Sequence, residues 1–303
     1  LNRMFLRYYT GTIIQMAGVE DPHTTIWLSS VVGAVFFLCT FVPMALIERT
    51  GRRLLLLISV AGVALSLILL GVSFLLVNID SMQTYNHLDA NSSIPFIKSC
   101  SLYSNCDYCV TDEHCGFCFS KNVSHSSMCV PVNIDDIHVS TAGPCQTTSS
   151  QTNNSLIFHS EFCETKYTVM PIVFMVVYIA FFAVGFAPLA WALNAEFYPL
   201  WARSTGCALS TFTNWIFSLV ISLTFLSLGQ AITKYGVFFL YGGITVLAFI
   251  FVFFCIPETT GISIEEVEML FMSKHKRRET AQSRRMTDVS AVIRKTKEET
   301  IVH

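Results

Sequence analysis

The sequence predicts an all-α integral membrane protein whose six spans are divided by a disulfide-rich insert. The 303-residue chain is 52% hydrophobic and only 13% charged, whereas soluble domains have roughly 25% charged residues. Several long segments contain no Asp, Glu, Lys or Arg, and each is about as long as the ~20 residues that a helix needs to cross a bilayer. Eight of the 11 cysteines lie in one polar segment between such stretches.

The spans are labelled A to F in chain order, and lipid requires that all of them be helices, because no backbone polar group can stay unpaired there. They lie at 1–19 (A), 26–47 (B), 54–77 (C), 168–193 (D), 206–228 (E) and 235–256 (F). Span A carries Arg3 and Arg7 and is truncated or divergent. Because the chain starts with Leu1 rather than Met, we expect it to be a fragment. The expected domains are 1–77 (spans A to C), 78–166 (the insert), 167–256 (spans D to F) and 257–303 (a tail).

Loop charge and cysteine content predict the orientation of the spans. The turn after span B and the tail are rich in Lys and Arg, so the positive-inside rule places both in the cytosol. The insert would then face the exterior, where disulfides persist. Its sequons at Asn91, Asn122 and Asn153 indicate glycosylation on that side. We therefore expect a multi-pass protein of the plasma membrane with an extracellular insert.

The cysteines of the insert form an even set, which predicts a disulfide framework with a pairing that the sequence leaves open. They are Cys100, Cys106, Cys109, Cys115, Cys118, Cys129, Cys145 and Cys163. The paired spacing of four of them, from Cys106 to Cys118, is an alternative sign of zinc. Disulfides are favoured because the two pairs lie close together and thiolates outside the cell would oxidise. We expect no metal and no cofactor.

The cysteine spacing also resembles the small module shared by plexins, semaphorins and integrins. Such a module could serve as a stapled spacer or as a binding module with an exoplasmic protein partner, and both roles stay open.

Span D contains Gly185 and Pro188, which interrupt its helical pattern. Interrupted helices near the bilayer midplane are typical of transporters, although a kink without function is the simpler alternative. Trp191 follows the interruption, and Trp215 lies mid-span in E beside Asn214. A membrane Trp is usually an interfacial anchor, but Trp and Asn at mid-membrane also suit a polyol site.

A set of charged residues follows spans B and D, at the ends expected to be cytosolic. It comprises Glu48, Arg49, Arg52, Arg53, Glu196 and Arg203. Guanidinium and carboxylate groups pair well, so these residues could form a network between helix ends. The alternative is topological anchoring alone, which accounts for the arginines but not for the glutamates.

Three motifs resemble signatures of the sugar porters of the major facilitator superfamily. They are Glu48-Arg-x-Gly-Arg-Arg53, Glu196-Phe-Tyr-Pro-x-x-x-Arg203 and Pro257-Glu-Thr-x-Gly261. Longer runs such as Tyr198-Pro-Leu-Trp-Ala-Arg-Ser-Thr-Gly206 extend the likeness to about residues 8–272. The motifs stand where the second six-helix half of that fold has them, so spans A to F would be its helices seven to twelve.

The resemblance implies secondary active transport of a sugar or polyol, such as myo-inositol, coupled to protons and working by alternating access. By the same likeness, Tyr8 and Tyr9 would form the outer gate, while Trp191, Asn214 and Trp215 would line the substrate cavity. The charged set would hold the outward-facing state.

No nucleophile, metal or nucleotide motif points to an enzyme, and no nucleic-acid partner is expected. The alternative function is a transport-inactive surface protein that is anchored in the bilayer and binds through its cysteine module.

The start of the tail carries the sequence signals of a further, short helix. Ser263 and Glu266 form a capping box, and Ile264, Val267, Leu270 and Phe271 fall on one helical face. We expect a short amphipathic helix there, followed by a disordered segment.

Overall fold

The computed structural model describes residues 22–85, 96–120, 126–133, 139–146, 156–160, 162–199 and 201–259. Span A with Tyr8 and Tyr9, the three sequon asparagines and the predicted tail helix lie outside the described residues. The side chain of Glu48 also lies outside them.

Within the described part, five helical segments are long and apolar enough to cross a membrane. They are His23–Ile47, Arg52–Asp80, Val169–Phe197, Arg203–Phe225 and Lys234–Cys255. They coincide with spans B to F, so the prediction of apolar helices there is confirmed.

Span B is two helices rather than the single helix predicted. Helix α1 runs Pro22–Cys39 and α2 runs Val42–Thr50, with a turn at Thr40 and Phe41 between them. Pro43 lies in the first turn of α2. Its missing N–H is tolerated at a helix start but would break a ladder bond in a helix interior, which explains why a new helix begins there.

Helix α3 (Arg52–Asp80) is the central helix of the bundle, and its small residues explain why. Helix α9 (Lys234–Cys255) and helix α6 (Val169–Phe181) pack along it. Gly62 leaves room for the ring of Phe181, and a Cβ on Gly71 would lie 3.1 Å from Phe239. Close approach through small residues is how helices associate where lipid removes the hydrophobic drive.

The remaining helices of the bundle differ in how much of their surface is covered by neighbouring helices. Helix α6 continues through a π-helical segment (Phe182–Phe186) into helix α7 (Ala187–Phe197). Helix α8 (Arg203–Ile232) contacts α7 and α9 but leaves most of its surface uncovered. The insert lies at the end of the bundle where α3 ends and α6 begins, here called the insert end. The opposite end, at Arg52 and Phe197, is the far end.

The insert is not helical throughout, so the all-α prediction holds only for the membrane part. Two short helices, α4 (Ile97–Cys100) and α5 (Cys106–Cys109), accompany a three-stranded antiparallel sheet of order β2-β1-β3. The strands are β1 (Cys115–Ser120), β2 (Ser127–Pro131) and β3 (Leu156–His159). Cys115 and Cys118 of β1 and Cys129 of β2 are buried and disulfide-bonded, and Cys115 and Cys129 belong to the small core of the insert.

Candidate functional site

The predicted interruption of span D is a π-helical segment at Phe182–Phe186, just before Pro188. The carbonyl of Phe182 accepts a hydrogen bond from the N–H of Ala187, five residues on. The Ser59 hydroxyl of α3 enters this segment. It donates to the carbonyl of Phe181 (2.7 Å) and accepts from the N–H of Phe186 (2.7 Å). The helix therefore stays continuous and widens, instead of unwinding at Pro188.

A hydrogen bond between α7 and α8 shows how far along the two helices the predicted substrate residues lie. The Ser210 hydroxyl donates to the side-chain oxygen of Asn194 (2.9 Å). Trp191 precedes Asn194 by three residues, and Asn214 follows Ser210 by four on the antiparallel neighbour. At 1.5 Å per residue, both lie about 5 Å from this bond towards the insert end.

The two candidate tryptophans are exposed in this chain. Trp191 is 43% exposed and Trp215 is 51% exposed, while Asn214 is half-buried. Among the described residues, no ring contact joins the two indoles. The structure thus places them on neighbouring helices at one level, on a surface that this chain does not cover.

The charged residues at the far end form a contact between α3 and α7. Arg52 pairs with Glu196 in an ion pair whose side chains are mostly buried. Arg53 donates to the carbonyl of Phe253 (2.6 Å), and its guanidinium lies over the Phe253 ring. Arg49 is exposed.

Among the described residues, Glu196 pairs with Arg52 and no ion pair joins it to Arg203. The Nε and Nη2 atoms of Arg203 are buried and have no hydrogen-bond partner in the described part of the chain. Since the side chain of Glu48 lies outside the described residues, the place of Arg203 in the network stays a prediction.

Glu258 is a functional candidate that the sequence reasoning missed, although it lies inside one of the three motifs. Its carboxylate accepts hydrogen bonds from the backbone N–H of Arg52 (3.1 Å) and of Arg53 (3.1 Å). It thereby caps the first turn of α3. A signal was present in Gly51, which immediately precedes α3 and has no side chain with which to cap it.

A buried polar cluster docks the insert on the bundle, and sequence reasoning missed it too. Lys234, the first residue of α9, pairs with Asp107 of α5 at 3.1 Å, and their side chains are 5% and 7% exposed. Asn78 of α3 donates to the other oxygen of Asp107 (2.9 Å). Tyr108 and Tyr235 share a hydrogen bond beside the cluster (3.4 Å). That bond, together with partial burial, raises the pKa of Tyr108.

All eight cysteines of the insert are in disulfides, so the disulfide interpretation is confirmed over the zinc alternative. The pairs are Cys100–Cys115, Cys106–Cys163, Cys109–Cys129 and Cys118–Cys145. Cys163 lies shortly before α6, so its bond to Cys106 ties that helix to the docking helix α5. The backbone N–H of Lys166 also donates to Asp80 at the end of α3 (3.1 Å).

The chain matches a family model described as "Sugar (and other) transporter" over residues 3–88 and 147–271. The unmatched residues between these stretches lie within the insert. The Proton myo-inositol cotransporter hmit-1.1 of Caenorhabditis elegans is 50% identical over 290 residues, which is 94% of this chain and 48% of that protein. The Proton myo-inositol cotransporter of Homo sapiens is 40% identical over 270 residues, covering 88% of this chain and 41% of that protein.

Solved structures agree on the fold. A crystal structure of a double-tryptophan variant of XylE matches with a TM-score of 0.54 at 18% identity, covering 90% of this chain and 39% of that chain. A structure of XylE bound to 6-bromo-6-deoxy-D-glucose, described as a major facilitator superfamily proton:xylose symporter, matches with a TM-score of 0.50 at 16% identity. That match covers 89% of this chain and 42% of that chain. The chain spans about half the length of the two myo-inositol cotransporters it resembles.

Proposed function

Since this chain belongs to the sugar transporter family of the major facilitator superfamily, we propose that it is the second six-helix half of a secondary active transporter. Its substrate would be myo-inositol or a related polyol, carried together with protons. The names of the two relatives and the share of their length that the chain spans support this proposal. Family membership makes the protein a transporter rather than an enzyme, and it lends no support to the alternative of an anchored binding protein.

The uncovered surface of α7 and α8 carries the proposal. It joins two exposed indoles to an amide and a hydroxyl at one level of membrane-length helices. An aromatic face packs on the C–H groups of a polyol, and amide or hydroxyl groups bond its oxygens. We propose that this surface is one wall of the substrate cavity and that the first six helices supply the other wall.

The orientation belongs to the same proposal. We place the insert outside a plasma membrane, with its sequons glycosylated, and the far end in the cytosol. The four disulfides of the insert support this, because disulfides persist in oxidising compartments. The far end would then hold the inner charge network of alternating access, with the Arg52–Glu196 pair at its centre. A network of this kind favours the state in which helix ends are close.

Uptake of labelled myo-inositol by cells that express the complete transporter tests the proposal. Trp191→Ala and Trp215→Ala should each lower kcat/KM by roughly 5- to 150-fold at unchanged surface expression, since lost pocket contacts cost about 1–3 kcal/mol. Uptake by the parent should rise with an inward proton gradient and fall with a protonophore.

Trp201 supplies a matched control, because it is 85% exposed and lies in the turn between α7 and α8. Trp201→Ala should leave uptake kinetics within about twofold of the parent. If all three variants behave like the parent, the two indoles are structural and the proposed cavity wall is wrong.

A further inference from the structure

Ser59 occupies an unusual place, because its hydroxyl lies within the backbone hydrogen-bond ladder of another helix. In a regular α-helix the N–H of Phe186 would donate to the carbonyl of Phe182. Here that carbonyl accepts from Ala187, and Phe186 donates to Ser59 instead. The same hydroxyl donates to the carbonyl of Phe181. Ser59 thus bridges the two backbone groups at the ends of the widened turn, the carbonyl of Phe181 and the N–H of Phe186.

Helix α3 packs so closely against the π-helical segment at this contact that no side-chain carbon would fit at position 185. Ser59 is 1% exposed, so water does not compete for its hydrogen bonds. A Cβ on Gly185 would lie 2.8 Å from the Ser59 oxygen and 2.9 Å from the carbonyl oxygen of Leu55. Glycine at 185 is therefore what lets α3 approach the segment, and Ser59 is what fills the gap at that point.

The segment determines which side of α7 faces the candidate site. One extra residue in a turn rotates everything that follows by about 100°, since 3.6 residues complete a turn. Trp191 and Asn194 follow the segment within nine residues of Gly185. If the widened turn closed to a regular helix, Asn194 would turn away from Ser210 and the Trp191 side chain would leave its present side. Widened turns of this kind occur frequently at functional sites.

We propose that Ser59 is a positioning residue: its hydroxyl holds the π-helical segment and thereby sets the face that α7 presents to the polyol. The part concerning the polyol rests on the proposed function. The part concerning the segment does not, because it follows from hydrogen bonds and packing alone.

Ser59→Ala is the decisive variant, and Ser66→Ala is its matched control. Both serines lie on α3 and are 1% exposed, but the Ser66 hydroxyl donates to Gly62 of its own helix (2.6 Å). Hydrogen exchange is measured on purified protein in lipid nanodiscs, using peptides that cover 182–197. The exchange rate reports the backbone hydrogen bonding of the segment and does not depend on transport activity. Ser59→Ala should exchange about tenfold faster there, because the widened turn loses the hydroxyl that bonds both the N–H of Phe186 and the carbonyl of Phe181. Ser66→Ala should match the parent.

Two further variants keep the test decisive. Gly185→Ala should reproduce the faster exchange from the other side of the contact, since its methyl group would clash with the Ser59 Cβ, would lie 2.9 Å from the Leu55 carbonyl oxygen and would push α3 away from the segment. Ser59→Cys keeps a polar atom at this position but makes it larger and a weaker hydrogen-bonding group, so it should exchange at an intermediate rate and serves if Ser59→Ala does not accumulate. The proposal is overturned if Ser59→Ala exchanges at the same rate as Ser66→Ala. Where Ser59→Ala does not accumulate, the same comparison is made with Ser59→Cys.

Uptake separates this proposal from the proposed function. If the parent carries myo-inositol, Ser59→Ala should raise KM about tenfold, and Ser66→Ala should not. Faster exchange with unchanged uptake kinetics overturns the positioning role. A parent that carries no inositol, with exchange still faster in Ser59→Ala, refutes the proposed function and supports the role of Ser59 in holding the segment.

Discussion

Glu258 caps a helix to which it does not belong. The first two N–H groups of α3 point to its carboxylate, and Gly51 before them adopts a positive φ of 81°. That backbone conformation suits glycine, and glycine has no side chain to use as a cap. A carboxylate at a helix N-terminus also interacts favourably with the helix dipole. The segment after α9 is therefore held to the start of α3.

Glu258→Ala should lower stability by about 1 kcal/mol, the usual loss for a removed cap. Thermal unfolding of the purified protein in detergent measures the change. Glu258→Gln keeps one acceptor oxygen without the charge, so its loss should be smaller. Glu113→Ala is the control, since that side chain is 73% exposed in the insert. Equal melting of Glu258→Ala and Glu113→Ala would contradict the capping role.

At this scale the sequence predicts residue types better than partners. It predicted a charged network at one end of the helices, and Arg52 and Glu196 do pair there. It also placed Arg203 in that network, where two of its nitrogen atoms have no partner among the described residues. A motif shows which charges lie near a helix end, but side-chain rotamers decide which of them meet.

Among the elements, the apolar helices follow directly from the hydrophobic runs, because a charge-free stretch of membrane length has few alternatives. The break of span B and the form of the span D interruption did not follow. The turn at Thr40 and Phe41 lies inside a continuous apolar run, where Pro43 was a local signal that the sequence reasoning did not use. The widened turn depends on Ser59, which is more than 120 residues away in sequence. Features set by a distant side chain leave no local pattern to read.

The insert is the element whose stability depends most on covalent links. In the chain-entropy account, a disulfide stabilises more when it closes a longer loop. Cys106–Cys163 has a sequence separation of 57, and Cys100–Cys115 has one of 15.

Replacing both cysteines of the Cys106–Cys163 pair by Ala should therefore cost about 4 kcal/mol, against about 3 kcal/mol for Cys100–Cys115. Resistance of the insert to proteolysis during a urea titration ranks the two double variants. Non-reducing peptide mapping of the parent should recover the four pairs and no free thiol among the eight cysteines. The reverse ranking would mean that strain or residual structure, rather than loop length, dominates.

For the whole molecule, the question is how a cysteine-rich insert and a membrane bundle become one body. The Lys234–Asp107 pair with Asn78 joins the insert to α9 and α3, and the Cys106–Cys163 bond joins it to the start of α6. The insert thus links the ends of three helices. The sequence predicted the insert and its disulfides. It did not predict how the insert docks, because Lys234 borders an apolar run and a charged residue is common at the end of a membrane span.

Lys234→Met should destabilise this docking by about 3–5 kcal/mol, because it leaves the Asp107 carboxylate buried without its counter-charge. Thermal unfolding and protease cleavage between the insert and α6 measure the loss. Lys166→Met is the control: Lys166 lies in the same region with an exposed side chain, and only its backbone N–H bonds Asp80.

Asp107→Asn combined with Lys234→Met closes a double-mutant cycle. The double variant should be more stable than Lys234→Met alone, since a neutral amide is cheaper to bury unpaired than a carboxylate and can still accept from Asn78. Strict additivity of the two single losses would mean that the charges do not act on each other and that apolar contact alone holds the insert. A coupling of 1 kcal/mol or more, by contrast, would make the ion pair the specific contact that fixes the insert on the bundle.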